Sequence, residues 1–305
     1  MTKSEIRSRI QLRQSSLKDY LLCPKLFEYR HLKGIEAKTR SAKTLNGSAL
    51  HLLMFWLHHG EWDMDVENMY PKAFAHYEYS SDESHIPVRF TKDRETDIKA
   101  FTATATEIVD GYRRRPENKL SRMLYQEVEF RVTILSETFT GTIDGLRELP
   151  DGKIELFDYK SNAIRPNVHA VAADIQLNLY SYAAMWGEFK VGVDEWIKPH
   201  ILPDYSSIYY LPAHKIRKRN SPQGEKGQEM SYPLIRTSKS IEDLRAFRKE
   251  VSNILKSLLK PWYFKNNSHA CVFCQYTDLC QSQNPLVTDR IASRANDLLN
   301  ELNMT

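Results

Sequence analysis

The 305-residue sequence has no apolar run approaching the roughly 20 residues needed to cross a bilayer, so no helical membrane span is expected. Its first residues, MTKSEIRSRIQLRQ, carry charge but lack the apolar stretch of a secretory signal. The expected location is cytoplasmic, with no membrane partner. Internal repeats and low-complexity tracts are also missing. No recognition-helix or zinc-finger pattern argues for sequence-specific DNA reading. There are only four cysteines, and they are unevenly placed: Cys23 alone, then Cys271, Cys274 and Cys280. A cytosolic chain rarely keeps structural disulfides, so metal or redox use is the better expectation.

What is present is ordinary globular composition, with 41% hydrophobic and 27% charged residues. The length suits one large domain or two modest ones. A net charge of +4 leans weakly towards a polyanionic partner. Arg113–Arg115 form one basic cluster; Lys215, Arg217, Lys218 and Arg219 form another. Either is equally well read as solvated surface.

The periodicity predicts helices first. Ser15 or Ser16 can cap a helix through Leu17, Tyr20, Leu21, Leu26 and Phe27, broken or restarted at Pro24. Asn46 and Gly47 introduce an apolar helix over Ala49–His59 that carries His51. Further helices are expected over 62–80 and 93–113. The period then changes to two: Val128, Phe130 and Val132 alternate with Glu127, Glu129 and Arg131. Strands follow at Phe139–Arg147 and Lys153–Tyr159, joined by an Asp151-Gly152 hairpin. A helix over 169–187, strands near Ser207–Leu211 and Met230–Ile235, a polar loop at Asn220–Lys226, a helix over Ile241–Leu259 and a short terminal helix complete the pattern. This order predicts an α/β or α+β fold with a central mixed sheet.

The chemistry concentrates in Gly141-Thr-Ile-Asp144-Gly and Phe157-Asp158-Tyr159-Lys160. Asp158 and Lys160 lie two apart on one strand and so share a face, and the hairpin can bring Asp144 beside them. Two carboxylates at one place repel unless a cation lies between them, and hard oxygen ligands suit Mg²⁺ or Mn²⁺. Lys160 can orient a water or offset charge on a phosphate. Glu129 can point at the same site from another strand. Gln176 and Tyr180, four apart, share a helix face. His51 alone would read as a core histidine; beside Asp144 and Asp158 it becomes a candidate ligand. On ligand count the four cysteines fit Zn²⁺ and an iron–sulfur cluster equally well. Tyr205, Tyr209 and Tyr210 precede the second basic run and are candidates either for the core or for stacking on single strands.

These residues, in this order, closely resemble the RecB-type branch of the PD-(D/E)XK nucleases, which includes the CRISPR adaptation exonucleases and exonuclease V. The matching blocks are Cys23-Pro24 with Phe27 and Tyr29, Gly47 with His51, Gly141 to Asp144, Asp158–Lys160, and Gln176 with Tyr180. The resemblance implies that His51, Asp144, Asp158 and the Tyr159 carbonyl bind the metal. It implies that Lys160 is catalytic and that Gln176 and Tyr180 position the site or DNA. For the cysteines it implies a [4Fe-4S] cluster rather than Zn²⁺. The expected plan is a helical region over 1–120 contributing Cys23 and His51, a restriction-endonuclease-like core over 121–260, and a cysteine-bearing end over 261–305 that the cluster ties to the N-terminal segment. The expected activity is metal-dependent exonuclease cleavage of DNA, at single-stranded ends or flaps. Protein partners in a recombination, replication or CRISPR complex are compatible with it. The alternative is a non-catalytic nucleic-acid-binding subunit stabilised by its four-cysteine metal site.

Overall fold

Alternation along Val128, Phe130, Val132 and Ile134 gives strand β3 (Arg122–Ile134) one fully buried face. It pairs antiparallel with β4 (Glu137–Glu148), which pairs antiparallel with β5 (Ile154–Lys160). The Asp151-Gly152 turn predicted between them is present. Gly152 takes φ +83°, a left-handed conformation that suits glycine, and Leu149 and Lys153 close the hairpin. The computed structural model describes residues 2–80, 82–161, 166–211 and 234–282. The second basic run, the polar loop at 220–226 and the terminal helix expected from sequence lie outside them.

Two compact units divide the chain. The larger comprises Gln11–Leu17 and Thr39–Ser257. Its seven-stranded sheet has the order β7-β6-β3-β4-β5-β8-β9, adding β6 (Glu188–Lys190), β7 (Trp196–Ile197), β8 (Tyr205–Tyr210) and β9 (Leu234–Thr237). Only β5 and β8 run parallel, joined through a helical crossover, so the sheet is mixed as expected. On one face, α4 (Ala42–His58), α5 (Val66–Tyr79) and α6 (Arg94–Arg113) pack a core that includes Leu53, Phe74, Ile108, Phe157 and Tyr159. On the other face lies α9 (Ile175–Trp186), whose Tyr180 ring meets Phe130 edge-on at 5.5 Å.

Several boundaries differ from the sequence reading. Helix α4 begins at Ala42, capped by the Ser41 hydroxyl, so Asn46 and Gly47 lie inside it. Asn46 is tolerated there because its Oδ1 accepts the buried Tyr70 hydroxyl at 2.7 Å. Ser15 and Ser16 also fall within a helix, α2 (Gln14–Leu22), and do not cap it. The helix expected over 169–187 is two pieces, α8 (Val168–Ala172) and α9. Asp174 divides them: it is extended, and its carboxylate accepts the Gln176 and Leu177 amides at 2.8 and 3.0 Å.

The smaller unit comprises Met1–Ile10, Lys18–Lys38 and Leu258–Thr305. It contains α1 (Lys3–Arg9), with a Thr2–Glu5 capping box, and α3 (Pro24–Phe27), which runs into a wide turn over Glu28–Leu32. Pro24 occupies the first position of α3, where its missing N–H is not needed; the restart expected at this proline is observed. A tight turn at His269–Phe273 and α11 (Thr277–Ser282) follow later in the chain. Leu26, Tyr29 and Tyr276 form its small apolar cluster, with Cys23, Cys274 and Cys280 packed against it.

Candidate active site

The ends of β4 and β5 and one face of α4 meet at a cluster of acids in the larger unit. Helix α4 approaches β5 closely at Gly47, where a Cβ would stand 3.0 Å from the Ser161 hydroxyl. One turn further on, His51 reaches the strands. Its Nε2 lies 3.1 Å from the Tyr159 carbonyl oxygen and its Nδ1 lies 3.4 Å from Asp144 Oδ2. The same Asp144 oxygen accepts the Tyr159 amide at 2.7 Å. His51 thus sits between the Tyr159 carbonyl and the Asp144 carboxylate, one ring nitrogen on each.

Asp158, on the α9 face of β5, is almost wholly buried. Gln176 Nε2 donates to its Oδ1 at 2.7 Å, and the same amide nitrogen donates to the Tyr180 hydroxyl at 2.8 Å. Lys160 Nζ donates to Gln176 Oε1 at 3.0 Å. It also forms an ion pair with the buried Asp158 Oδ2 at 2.5 Å. The ammonium of Lys160 is the cation that offsets this buried carboxylate.

Glu129 does not join this group. It is exposed, with its carboxylate 3.5 Å from Lys190 Nζ. Glu127 takes the place expected for it. His51, Glu127 and Asp144 each offer a ligand atom within 4.8 Å of the others; Asp158, expected in the same group, is in no such trio among the described residues, its carboxylate lying against Gln176 and Lys160. The physical reason is local. Glu127 adopts φ +47°, which costs a residue with a Cβ about 1–3 kcal/mol and breaks the strict alternation that would hold it level with Glu129. The register of β3 on β4 also slips nearby, between Met123 and Tyr125. A strained acidic residue in an otherwise regular strand is a signal that only the backbone carries.

Electrostatics follow from this crowding. Burial, then the neighbouring Asp158, raises Asp144 to about 6. Burial, then Asp144, raises Glu127 to about 7. For Lys160, burial opposes the charge, but the carboxylate of Asp158 outweighs it and the net shift is upward. The amine is therefore a cation at neutral pH. Two carboxyls with raised values beside a histidine form a site short of positive charge, which fits a divalent ion.

The family of the protein follows from one further comparison. The model of the PD-(D/E)XK nuclease superfamily matches residues 11–281. The chain belongs to the PD-(D/E)XK nuclease superfamily. Membership implies a metal-dependent nuclease, with DNA as its substrate and a divalent metal at the acidic site. No curated protein matches the chain. A solved structure described as "Crystal structure of SSO0001" is similar over 88% of this chain and 96% of its own, with 12% identity. Its TM-score of 0.30 is too low to carry an argument. No helix among the described residues is long and apolar enough to cross a membrane.

Of the three tyrosines of β8, Tyr209 and Tyr210 are buried in the core, one of the two readings the sequence allowed, while Tyr205 is partly exposed with Lys153 and Arg236 over its ring. Tyr209 instead bonds Arg147 and Asn118 in a polar network behind the sheet, where Arg147 and Glu155 are both wholly buried and paired at 2.6 Å.

The four cysteines line a single cavity of about 460 Å³ in the smaller unit, beside Tyr29 and Tyr276. Their sulfurs are only loosely grouped; no three come within 4.8 Å of one another. Tetrahedral zinc with 2.3 Å bonds would hold its sulfurs about 3.8 Å apart. The cavity is far larger than one ion needs.

Proposed function

We propose that the protein is a DNA exonuclease of the RecB-type branch, acting in the cytoplasm on single-stranded ends or flaps, within a recombination, replication or CRISPR assembly. The observations that carry the reading are the cluster of His51, Glu127 and Asp144 against β5 and, on the same strand, the Asp158–Lys160 pair held by Gln176. In this reading His51, Asp144, Asp158 and the Tyr159 carbonyl hold Mg²⁺ or Mn²⁺, and Glu127 adds a further oxygen donor. A divalent ion there supplies a polarised phosphoryl group and a more acidic water.

The chain's own residues do the rest. Lys160, held cationic by Asp158 and steered by Gln176, offsets the charge that builds on the phosphate oxygens as water adds to phosphorus and the P–O ester bond breaks. Its proton affinity makes it a charge stabiliser rather than a base. Gln176, fixed in turn by Tyr180, holds Asp158 and Lys160 in register. The cysteines take a [4Fe-4S] cluster in the role of a long-range staple. A cluster spreads its four thiolates over four irons and needs them further apart than a single zinc does, in keeping with the open cavity.

The test is digestion of linear and closed-circular single-stranded DNA with manganese. An exonuclease degrades the linear strand and spares the circle. Equal loss of both would contradict end dependence, and loss of neither would contradict the nuclease itself and favour a non-catalytic binding subunit.

A further inference from the structure

The smaller unit carries a feature that the active-site chemistry does not use. Its three spans hold 12 lysines and arginines against 8 acids, whereas the rest of the chain holds 31 of each. The whole excess of +4, 43 against 39, therefore lies in this unit. In it Trp262 is 78% exposed and Phe264 64% exposed, an unusual amount of aromatic surface to leave in water.

The segment presenting them is firmly held. The Trp262 amide donates to the Lys260 carbonyl at 2.8 Å, a tight turn around Pro261. Between the two exposed rings, Tyr263 points inward: its hydroxyl donates to the Leu258 carbonyl at 2.8 Å and its ring lies 5.8 Å from Phe27. The Phe264 carbonyl accepts the Lys25 amide at 3.1 Å, and the Asn266 side chain donates to the Leu22 carbonyl at 2.8 Å. Trp262 and Phe264 thus flank a residue that is turned inward, and both rings are left exposed on a segment tied down at either end. Exposed Lys260 precedes them; Lys265 follows, its Nζ donating to the Cys280 carbonyl at 2.6 Å.

We infer that Trp262 and Phe264 form a stacking platform for single-stranded nucleic acid, in which successive bases lie on the two rings and the basic surface of this unit meets the phosphates. The inference rests on the nuclease reading for its ligand and names where that ligand is gripped. Base stacking on aromatics next to cations is tolerant of sequence, as an end-directed enzyme requires. The charge excess favours a polyanion over an apolar protein partner.

The experiment is anisotropy of a labelled oligothymidylate with the full chain bearing Lys160→Ala, which separates binding from cleavage. Adding Trp262→Ala and Phe264→Ala should weaken binding at least about ten-fold, and Trp262→Tyr with Phe264→Tyr should restore it to within about two-fold. Binding unchanged in the alanine variant overturns the platform and assigns the rings to another partner. Photo-crosslinking of a bromodeoxyuridine oligonucleotide to the unmutated chain tests the same point without any risk to folding. Adducts on residues 260–266 support the platform, and adducts only elsewhere overturn it. Loss of cleavage is a separate outcome: a chain that binds through these rings but never cuts keeps the platform and loses the nuclease reading.

Discussion

At the scale of single residues, the acid that lies beside His51 and Asp144 is Glu127 rather than Glu129. Glu127→Gln should weaken manganese binding at least about ten-fold in a calorimetric titration, while Glu129→Gln should stay within about two-fold. Equal effects would mean that the bend at residue 127 does not set the ligand sphere. The raised carboxyls have a further consequence. Asp144 near 6 and Glu127 near 7 keep protons in the fold at pH values where the unfolded chain, titrating around 4, has released them. The folded state then binds more protons, so these groups erode the stability of the metal-free protein as pH rises from about 4 to 7. A cation that neutralises them should raise the melting temperature more at pH 8 than at pH 5. A larger manganese shift at pH 5 would contradict this assignment. The pairing of Asp158 with Lys160 was legible in the sequence because a period of two puts alternate residues on one face. Glu127 was not, because its place depends on a left-handed backbone angle that no pattern of side chains announces.

At the scale of elements, the strands were read more accurately than the helix starts. Apolar alternation in β3 and the Asp-Gly turn are local signals, and both were visible. The start of α4 was misplaced because Asn46 and Gly47 look like breakers. Tyr70 on a different helix, 24 positions away, satisfies Asn46, and close packing on Ser161 makes use of Gly47. The β4–β5 pairing that aligns the two aspartates depends on another close approach. A Cβ on Gly145 would stand 2.0 Å from the Phe157 ring, which lies across it. Gly145→Val should therefore destabilise the protein by about 1–3 kcal/mol, measured by urea denaturation. A cost near zero would show that the Phe157 ring has room to move.

At the scale of the whole molecule, the mixed sheet was foreseen from the order of helices and strands, but its outer strands were not. β6 and β7 have two or three residues each, too few for a period to show. The association of Cys23 with the distant triplet was legible only through resemblance, since spacing alone says nothing about a partner so far along the chain. If the cysteines hold an iron–sulfur cluster, closing so long a loop should stabilise the fold strongly. Cys274→Ala should then lose the visible absorbance and iron content and lower the melting temperature, with cleavage falling only as the protein unfolds. A colourless parent protein containing one zinc would contradict the cluster.

The most direct test of the account is cleavage of end-labelled single-stranded DNA by Lys160→Ala with manganese saturating. The geometry predicts a folded variant that still binds manganese and loses cleavage by about a hundred-fold or more. Undiminished cleavage would show that the amine between Asp158 and Gln176 takes no part in breaking the ester.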